Sequence, residues 1–246
     1  MDRLIYTAMT GASHLLERQA AVAQNLSNVN TPGFRAAINT FRAVPLVGEG
    51  LPTRTFVVDS TSGSDFSQGA LQPTGRDLDV AMQGAGWLAV QTPDGGEAYT
   101  RNGSLQVAPD GTLQTRSGLP VMGDSGPITI PPNTQVTIGK DGTISTVPTG
   151  TKPIPATVGR IKLTNPPAAQ MMRGDDGLFR TQDGKAADAD SNVALVPGSI
   201  ESSNVNTVGA MVDMISLARS YDLQIKMLTA ADTNAKTAGA IFNMTA

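Results

Sequence analysis

The sequence predicts an α+β protein. Its terminal helices pair as a coiled-coil-like stem, its centre is an antiparallel all-β domain, and a long irregular connector joins the first helix to that domain. Three observations carry this reading. Apolar residues recur at helical-seam spacing at both ends of the chain. Asp-Gly and Asn-Gly turns divide the middle into short β-rich runs. Between the first helix and those runs, residues 35–75 are crowded with Gly, Pro and Ser.

Residues 1–34 form the first element. Met1, Ile5, Ala8, Ala12, Leu15, Gln19, Val22, Leu26 and Val29 alternate steps of 4 and 3, and only Gln19 is polar. That is the stripe of a helix packed along one seam. Pro32 ends the pattern, because a proline forces the preceding residue out of the helical region and supplies no N–H. Gly33 gives the following turn its freedom, and Phe34 is placed to anchor what comes next. In the connector, 35–75, extended runs such as "RTFVVD" are interrupted too often to predict regular structure.

Residues 76–202 read as the β-domain. Strand candidates "WLAV", "SLQV", "TLQT", "QVTI" and "TIST" are separated by "PDGG", "RNG", "PDG", "KDG" and "GDDG". The stretches "SLQVAPDGTLQT" and "QVTIGKDGTIST" share the plan strand, Asp-Gly-Thr, strand, which predicts two similar hairpins. Helix returns in 203–246, with Asn206 as N-cap. Its predicted seam is Met211, Met214, Ala218, Tyr221, Ile225, Leu228, Asp232, Ala235, Gly239 and Phe242.

Composition removes several function classes. The 246-residue chain has a net charge of −3, which gives no electrostatic basis for nucleic acid as a partner. It has no cysteine, so disulfides, thiolate metal sites and cysteine nucleophiles are excluded. No apolar run is long enough for membrane insertion. The first residues lack the continuous apolar core of a secretory signal, so the expectation is a cytoplasmic protein or export without a cleaved signal peptide. His14, the one histidine, has no orienting acid or nucleophile in the sequence around it and reads as an exposed or inter-subunit residue. "GAGWLA" runs on into a strand, so it reads as a turn and not as a dinucleotide fingerprint. "DADSN" lacks the glycine and glutamate of a calcium loop. No catalytic set, cofactor site or metal site is predicted.

The helix surfaces away from the seams suggest assembly. Asp2, Arg3, Glu17 and Arg18 are the only charges in residues 1–34, and the remaining positions favour Ala, Ser, Thr, Asn and Gln. A solvated helix pair usually carries many more charges. Small and amide residues suit helices packed on several sides.

Three segments then carry a family resemblance: "AVAQNLSNVNTPGFRA", "GRDLDVAMQGAGWLAVQT" followed by "AYTRNGSLQVAPDGTL", and "IESSNVNTVGAMVDMISLARSYDLQIKML". Together and in this order they resemble the bacterial flagellar rod and hook proteins over nearly the whole chain. Length and connector look most like the proximal-rod member. The resemblance implies a non-enzymatic structural subunit in the periplasmic rod of the flagellar basal body. It also implies partners: other proximal- and distal-rod subunits, further copies of itself, and the flagellar type III export apparatus. Terminal helices would form an inner tube around the export channel. The assembly interface would comprise Ile5, Leu15, Val22, Asn25, Leu26, Asn28, Val29, Pro32, Gly33, Phe34, Met211, Met214, Tyr221, Ile225 and Leu228. Ile5, Leu15, Val22 and Leu26 would pack on Met214, Tyr221, Ile225 and Leu228, within or between subunits. Asn25 and Asn28 would make polar contacts at the helix end. Two alternatives stay open: a distal-rod or hook paralogue, and a secreted binding or adhesion protein displaying its β-domain.

Overall fold

The structure is a computed structural model that describes residues 2–45, 55–149 and 154–243. Its elements are α1 (Asp2–Ser27), β1 (Ala37–Pro45), β2 (Thr55–Ser64), β3 (Leu71–Pro73), β4 (Val80–Gln83), β5 (Trp87–Gln91), β6 (Glu97–Thr100), β7 (Leu105–Val107), β8 (Leu113–Thr115), β9 (Met122–Gly123), β10 (Gly126–Pro127), β11 (Thr134–Ile138), β12 (Thr143–Pro148), β13 (Ala156–Arg160), β14 (Leu163–Thr164), β15 (Met171–Arg173), β16 (Phe179–Thr181), β17 (Ala194–Pro197), β18 (Ser199–Glu201) and α2 (Thr207–Asn243). They fall into two compact units.

The helical unit contains α1, the β1–β2 pair and α2. α1 is built from Ala, Leu, Gln, Glu and Arg, which lose little rotamer freedom in a helix. It stops at Ser27, short of the Thr31-Pro32 stop read from the sequence. α2 begins on the predicted cap: the Gly209 N–H donates to Asn206 Oδ1 at 2.9 Å. Its threonines are satisfied inside the helix, as where Thr233 Oγ1 donates to the Thr229 carbonyl at 2.8 Å.

The connector expectation needs correction. Most of residues 37–64 is regular: β1 and β2 pair antiparallel from Ala37↔Ser64 to Pro45↔Thr55, with a register shift at Thr40/Phe41. Residues 46–54, where several of the predicted breakers fall, lie outside the described residues. The strands escaped the sequence reading because their breakers, Pro45 and Gly63, sit near the strand ends, where they cost the ladder little. Between them the Phe, Val, Ile and Thr content is ordinary strand material.

The β unit takes in residues 28–36 and the described part of 65–204, a wider span than the turn signals delimit. All its strand pairs are antiparallel. The largest sheet runs in the order β14-β5-β6-β16-β15, and β11-β12-β13 forms a second sheet. Val80, Met82, Leu88, Val90, Leu105, Leu113, Ile138, Ile144 and Leu195 close one core. A smaller cluster gathers Trp87, Tyr99, Met171 and Phe179. Each fully buried Leu or Ile contributes roughly 1.5–3 kcal/mol by removing apolar surface from water.

The two similar hairpins share one turn chemistry. In β7–β8, Asp110 Oδ1 accepts the Thr112 N–H at 2.9 Å and its Oδ2 accepts the Thr112 hydroxyl at 3.0 Å. In β11–β12, Asp141 holds Thr143 in the same way, at 3.1 and 2.7 Å. The intervening Gly111 and Gly142 have φ of +86° and +83°, a left-handed conformation that favours glycine. These hydrogen bonds hold both carboxyls below the usual aspartate range. "GAGWLA" is the β4–β5 turn, with Gly84 at φ +84°.

Candidate assembly interface

α1 presents three faces. Ile5, Ala8, Ala12, Leu15, Gln19, Val22 and Leu26 form a continuous buried or half-buried stripe, matching the predicted seam over the described side chains. The helix packs on α2, and small residues make the approach close: a Cβ on Gly11 would sit 3.4 Å from the Gln224 side chain. A second face carries the β1–β2 pair. His14 lies here and not on an exposed surface, and, contrary to the expectation of no nearby acid, its Nδ1 bonds Glu17 Oε2 at 2.9 Å, while its Nε2 bonds the Val57 carbonyl at 2.6 Å. The His14 ring also meets Phe41 edge-on, at 5.5 Å between centroids. Asn25 is the polar contact at this end. Its Nδ2 donates to the Ala37 carbonyl at 2.9 Å and its Oδ1 accepts the Ala37 N–H at 2.7 Å, so one side chain reproduces a strand pairing. The third face is exposed yet apolar, with Tyr6, Met9 and Leu16 at steps of 3 and 7.

α2 departs from its predicted seam at six of the nine predicted positions whose side chains are described: Met211, Ala218, Ile225, Asp232, Ala235 and Gly239 are all exposed. Met214, Tyr221 and Leu228 are half-buried. The inner stripe is completed by Ala210, Leu217, Gln224 and Ala231, each one residue before the predicted Met211, Ala218, Ile225 and Asp232. Met211 is 50% exposed and Ile225 37%. The cause is a second apolar stripe. Val208, Val212, Ile215 and Leu223 lie on the opposite side of the helix, 56–72% exposed. With apolar residues on both sides, sequence spacing alone does not choose the inner one.

The remaining site residues belong to the β unit. Asn28 caps a turn: its carbonyl accepts the Thr31 N–H at 3.1 Å and its Oδ1 accepts the Thr31 hydroxyl at 3.2 Å. Val29 and Pro32 are half-buried. Gly33 has φ +70°, and a Cβ there would run into the Arg101 carbonyl group. Its N–H donates to the Glu201 carbonyl at 2.8 Å. Phe34 is buried under Arg173, whose guanidinium lies 4.4 Å from the ring centroid.

Beside these lies a polar junction absent from the sequence reading. Glu201 is wholly buried and bridges two arginines: Arg35 Nη2 is 2.7 Å from its Oε1, and Arg101 Nη1 is 3.0 Å from its Oε2. The Gly69 N–H donates to Oε1 at 2.9 Å. Arg35 Nη1 donates to the Ser67 carbonyl at 2.7 Å. Asn204 completes the clasp, accepting the Ala36 N–H at 2.8 Å and donating Nδ2 to the Asp65 carbonyl at 2.9 Å. Segments 33–36, 65–69 and 201–204 are thereby fixed side by side. Burial pulls the Arg35 guanidinium below its usual range, while Glu201 acts to hold it up. The only sequence signal for this cluster is scarcity: in a chain with 16% charged residues, "FRA", "TRNG" and "IESSN" each place a charge inside a family motif. Among the described residues, no group of three or more His, Asp or Glu side chains is placed to hold a metal ion.

The segments that form these surfaces match three family profiles: flagella basal body rod protein over residues 5–35, flagellar hook protein FlgE/F/G D1 domain over 81–146, and flagellar basal body rod FlgEFG protein C-terminal over 196–241. Paired terminal helices and an antiparallel β unit carrying these profiles define a flagellar hook and rod protein. The flagellar basal-body rod protein FlgF of Escherichia coli (strain K12) is 49% identical over 251 residues, covering 99% of this chain and all of the relative. The FlgF of Salmonella typhimurium (strain LT2) is 47% identical with the same coverage. The rod protein FlgG of Buchnera aphidicola subsp. Schizaphis graminum is 31% identical, over 93% of this chain and 95% of the relative. The chain belongs to the FlgF family of flagellar basal-body rod proteins. It is a structural subunit of the basal body, not an enzyme. Among the described residues no helix is long and apolar enough to cross a membrane.

Proposed function

We propose that this chain is a proximal-rod subunit that assembles helically through its terminal helices, as coiled-coil-like pairs, into the drive shaft and export-channel wall that crosses the periplasm. The observation that carries the reading is the second apolar stripe on each helix. Tyr6, Met9 and Leu16 on α1, and Val208, Val212, Ile215 and Leu223 on α2, are exposed although the helices already pack on each other. Apolar side chains at helical spacing on an exposed face mark an interaction surface. Met211 and Ile225 join this outward set as inter-subunit contacts, while Met214, Tyr221 and Leu228 serve the pair within the subunit. Leu15, Val22 and Leu26 are assigned to the same internal pair.

Identities of 49% and 47% to the FlgF proteins of Escherichia coli and Salmonella typhimurium, over nearly the whole chain, support the proximal position. Export by the flagellar type III apparatus, unfolded and without a cleaved signal, belongs to the same proposal, as do helices that order fully only between neighbouring subunits. An Ile215→Asp substitution tests it. The variant is expected to keep its β unit folded, with an unchanged far-UV strand signal, and to abolish swimming and rod completion. Normal swimming would refute assembly through this face. Deletion of the gene is expected to halt rod growth before distal subunits are added; a rod that already contains them would place the chain elsewhere.

A further inference from the structure

We propose that the Asp94-Gly95 turn of the β5–β6 hairpin is a self-modification site, where aspartate converts to isoaspartate ahead of the four other Asp-Gly turns in the chain. The five pairs are Asp94-Gly95, Asp110-Gly111, Asp141-Gly142, Asp176-Gly177 and Asp183-Gly184. Their backbones are alike. Each glycine has φ between +69° and +86°, and its N–H donates to the carbonyl three residues earlier at 2.9–3.1 Å. The carboxylates differ. Asp110 and Asp141 each accept an N–H and a hydroxyl from the threonine two residues on. Asp176 accepts the Leu178 N–H and two N–H groups of Arg180. Asp183 accepts the Lys185 N–H at 3.2 Å. Asp94 accepts no hydrogen bond from any described residue. Two residues on from it is Gly96, which brings no hydroxyl, and the Thr92 hydroxyl is taken up by the Gly96 carbonyl at 3.1 Å. Arg180, the cation that faces Asp94, is held by Asp176.

A free carboxyl followed by glycine is what the reaction needs. The Gly95 nitrogen gives up its proton and bonds Asp94 Cγ, and a carboxyl oxygen leaves as water. Water then opens the five-membered imide at the main-chain carbonyl, so the chain continues through the Asp94 side chain and a new α-carboxylate is released. One water leaves and one enters, and nothing is oxidised or reduced. The rate follows how often Cγ reaches the nitrogen. In the other four turns hydrogen bonds fix the side chain toward the N–H two residues on. They also hold Asp110, Asp141 and Asp176 below the usual aspartate range, in the ionised form that is the poorer electrophile. The glycines differ as well. The Gly111 and Gly142 carbonyls accept the Ile130 and Ile161 N–H groups at 2.8 and 2.9 Å, whereas a Cβ on Gly95 would meet nothing within 4 Å and residues 93–96 are exposed. Asn102-Gly103 would react faster still in an open chain, because an amide is a better electrophile than a carboxylate. The fold guards it. Asn102 Oδ1 accepts the Ser104 N–H at 3.1 Å, the Gly103 carbonyl accepts the Val80 N–H at 2.9 Å, and Gly103 packs so closely that a Cβ would run into the Val80 carbonyl. An isoaspartate at position 94 adds a methylene to the turn joining two neighbouring strands of the largest sheet.

The full-length protein is incubated at neutral pH in heavy-oxygen water, native and in urea, and then digested in ordinary water. Each imide opening leaves a heavy oxygen at its residue, which peptide mass spectrometry counts, and electron-transfer fragmentation separates isoaspartate from aspartate. In the native protein Asp94 is expected to react about tenfold or more faster than Asp110, Asp141 and Asp176, the difference expected of a carboxylate released from its hydrogen bonds. Asp183, held by a single N–H, should come second. In urea the five Asp-Gly pairs should converge and Asn102 should overtake them. Gly96→Thr supplies the missing hydroxyl, and its Cβ would meet only the Thr92 hydroxyl, at 3.2 Å. With an unchanged circular dichroism spectrum, this variant should slow Asp94 about tenfold, to the rate of Asp110. A native rate at Asp94 no higher than at Asp183, a lead that persists in urea, or an undiminished rate in folded Gly96→Thr would overturn the proposal.

Discussion

In the β unit Leu88, Leu105, Leu113, Ile144 and Leu195 have no exposed surface, and even a glutamate is buried with its partners around it. In the helical unit the buried apolar residues among the described side chains of α1 and α2 are Ala8, Ala12 and Leu217, while Val208, Val212 and Leu223 stand more than half exposed. One region completes its packing within the chain. The other leaves apolar surface uncovered, at a cost of about 25 cal/mol for every Å² that stays in contact with water. On the proposed assembly, the contrast separates a part that holds its shape alone from a part that would gain its shape, and much of its stability, from neighbours.

The sharpest way to break this contrast is to open the buried junction. Glu201→Ala leaves Arg35 and Arg101 facing each other without a counter-charge. A loss of about 3–5 kcal/mol is expected in urea unfolding followed by Trp87 fluorescence. Gly33→Ala comes next. It forces a side chain into a left-handed backbone position and against the Arg101 carbonyl, and should cost roughly 2–3 kcal/mol in the same assay. Neither change touches the exposed stripes, so both should act on the β unit first.

A smaller effect comes with pH. The Tyr99 hydroxyl donates to Glu97 and accepts the Ala187 N–H, and burial is the main cause that pushes its pKa from 10.0 to about 12. Between those values the unfolded chain has lost the phenolic proton while the folded chain retains it. Stability therefore falls as pH rises through that window, by up to roughly 2 kcal/mol in total. Subtracting the profile of Tyr99→Phe isolates this part. No difference between the profiles would mean that the hydroxyl is better solvated than its 1% exposure implies.

How much of this was legible in the sequence depended on how many answers the pattern allowed. The α1 seam was readable because its stripe runs from Ile5 to Leu26 with Gln19 alone interrupting it, while Tyr6, Met9 and Leu16 on the outer face are too few to make a rival seam. The α2 seam was readable only at Met214, Tyr221 and Leu228. Its other positions were ambiguous because Met211 and Ile225 are more apolar than the Ala210 and Gln224 that turn inward. Gly11 resolves this in three dimensions by leaving room for Gln224, a relation between residues 213 positions apart that no local period encodes. The Asp-Gly-Thr hairpins were legible because turn chemistry is local. The clasp of Arg35, Arg101, Glu201 and Asn204 was not, since it joins charges across 100 and 166 positions. β1 and β2 were hidden by the glycines and prolines around them, which weigh heavily in a local reading although they sit near the strand ends.

Hydrogen exchange of the purified monomer at low concentration tests the central claim most directly. The account predicts strong protection of amides in β4, β5, β8, β11 and β12, and exchange faster by orders of magnitude across residues 5–26 and 208–240. Protection of the helices equal to that of the β unit in the isolated monomer would contradict it, because the helices would then be complete without a neighbour.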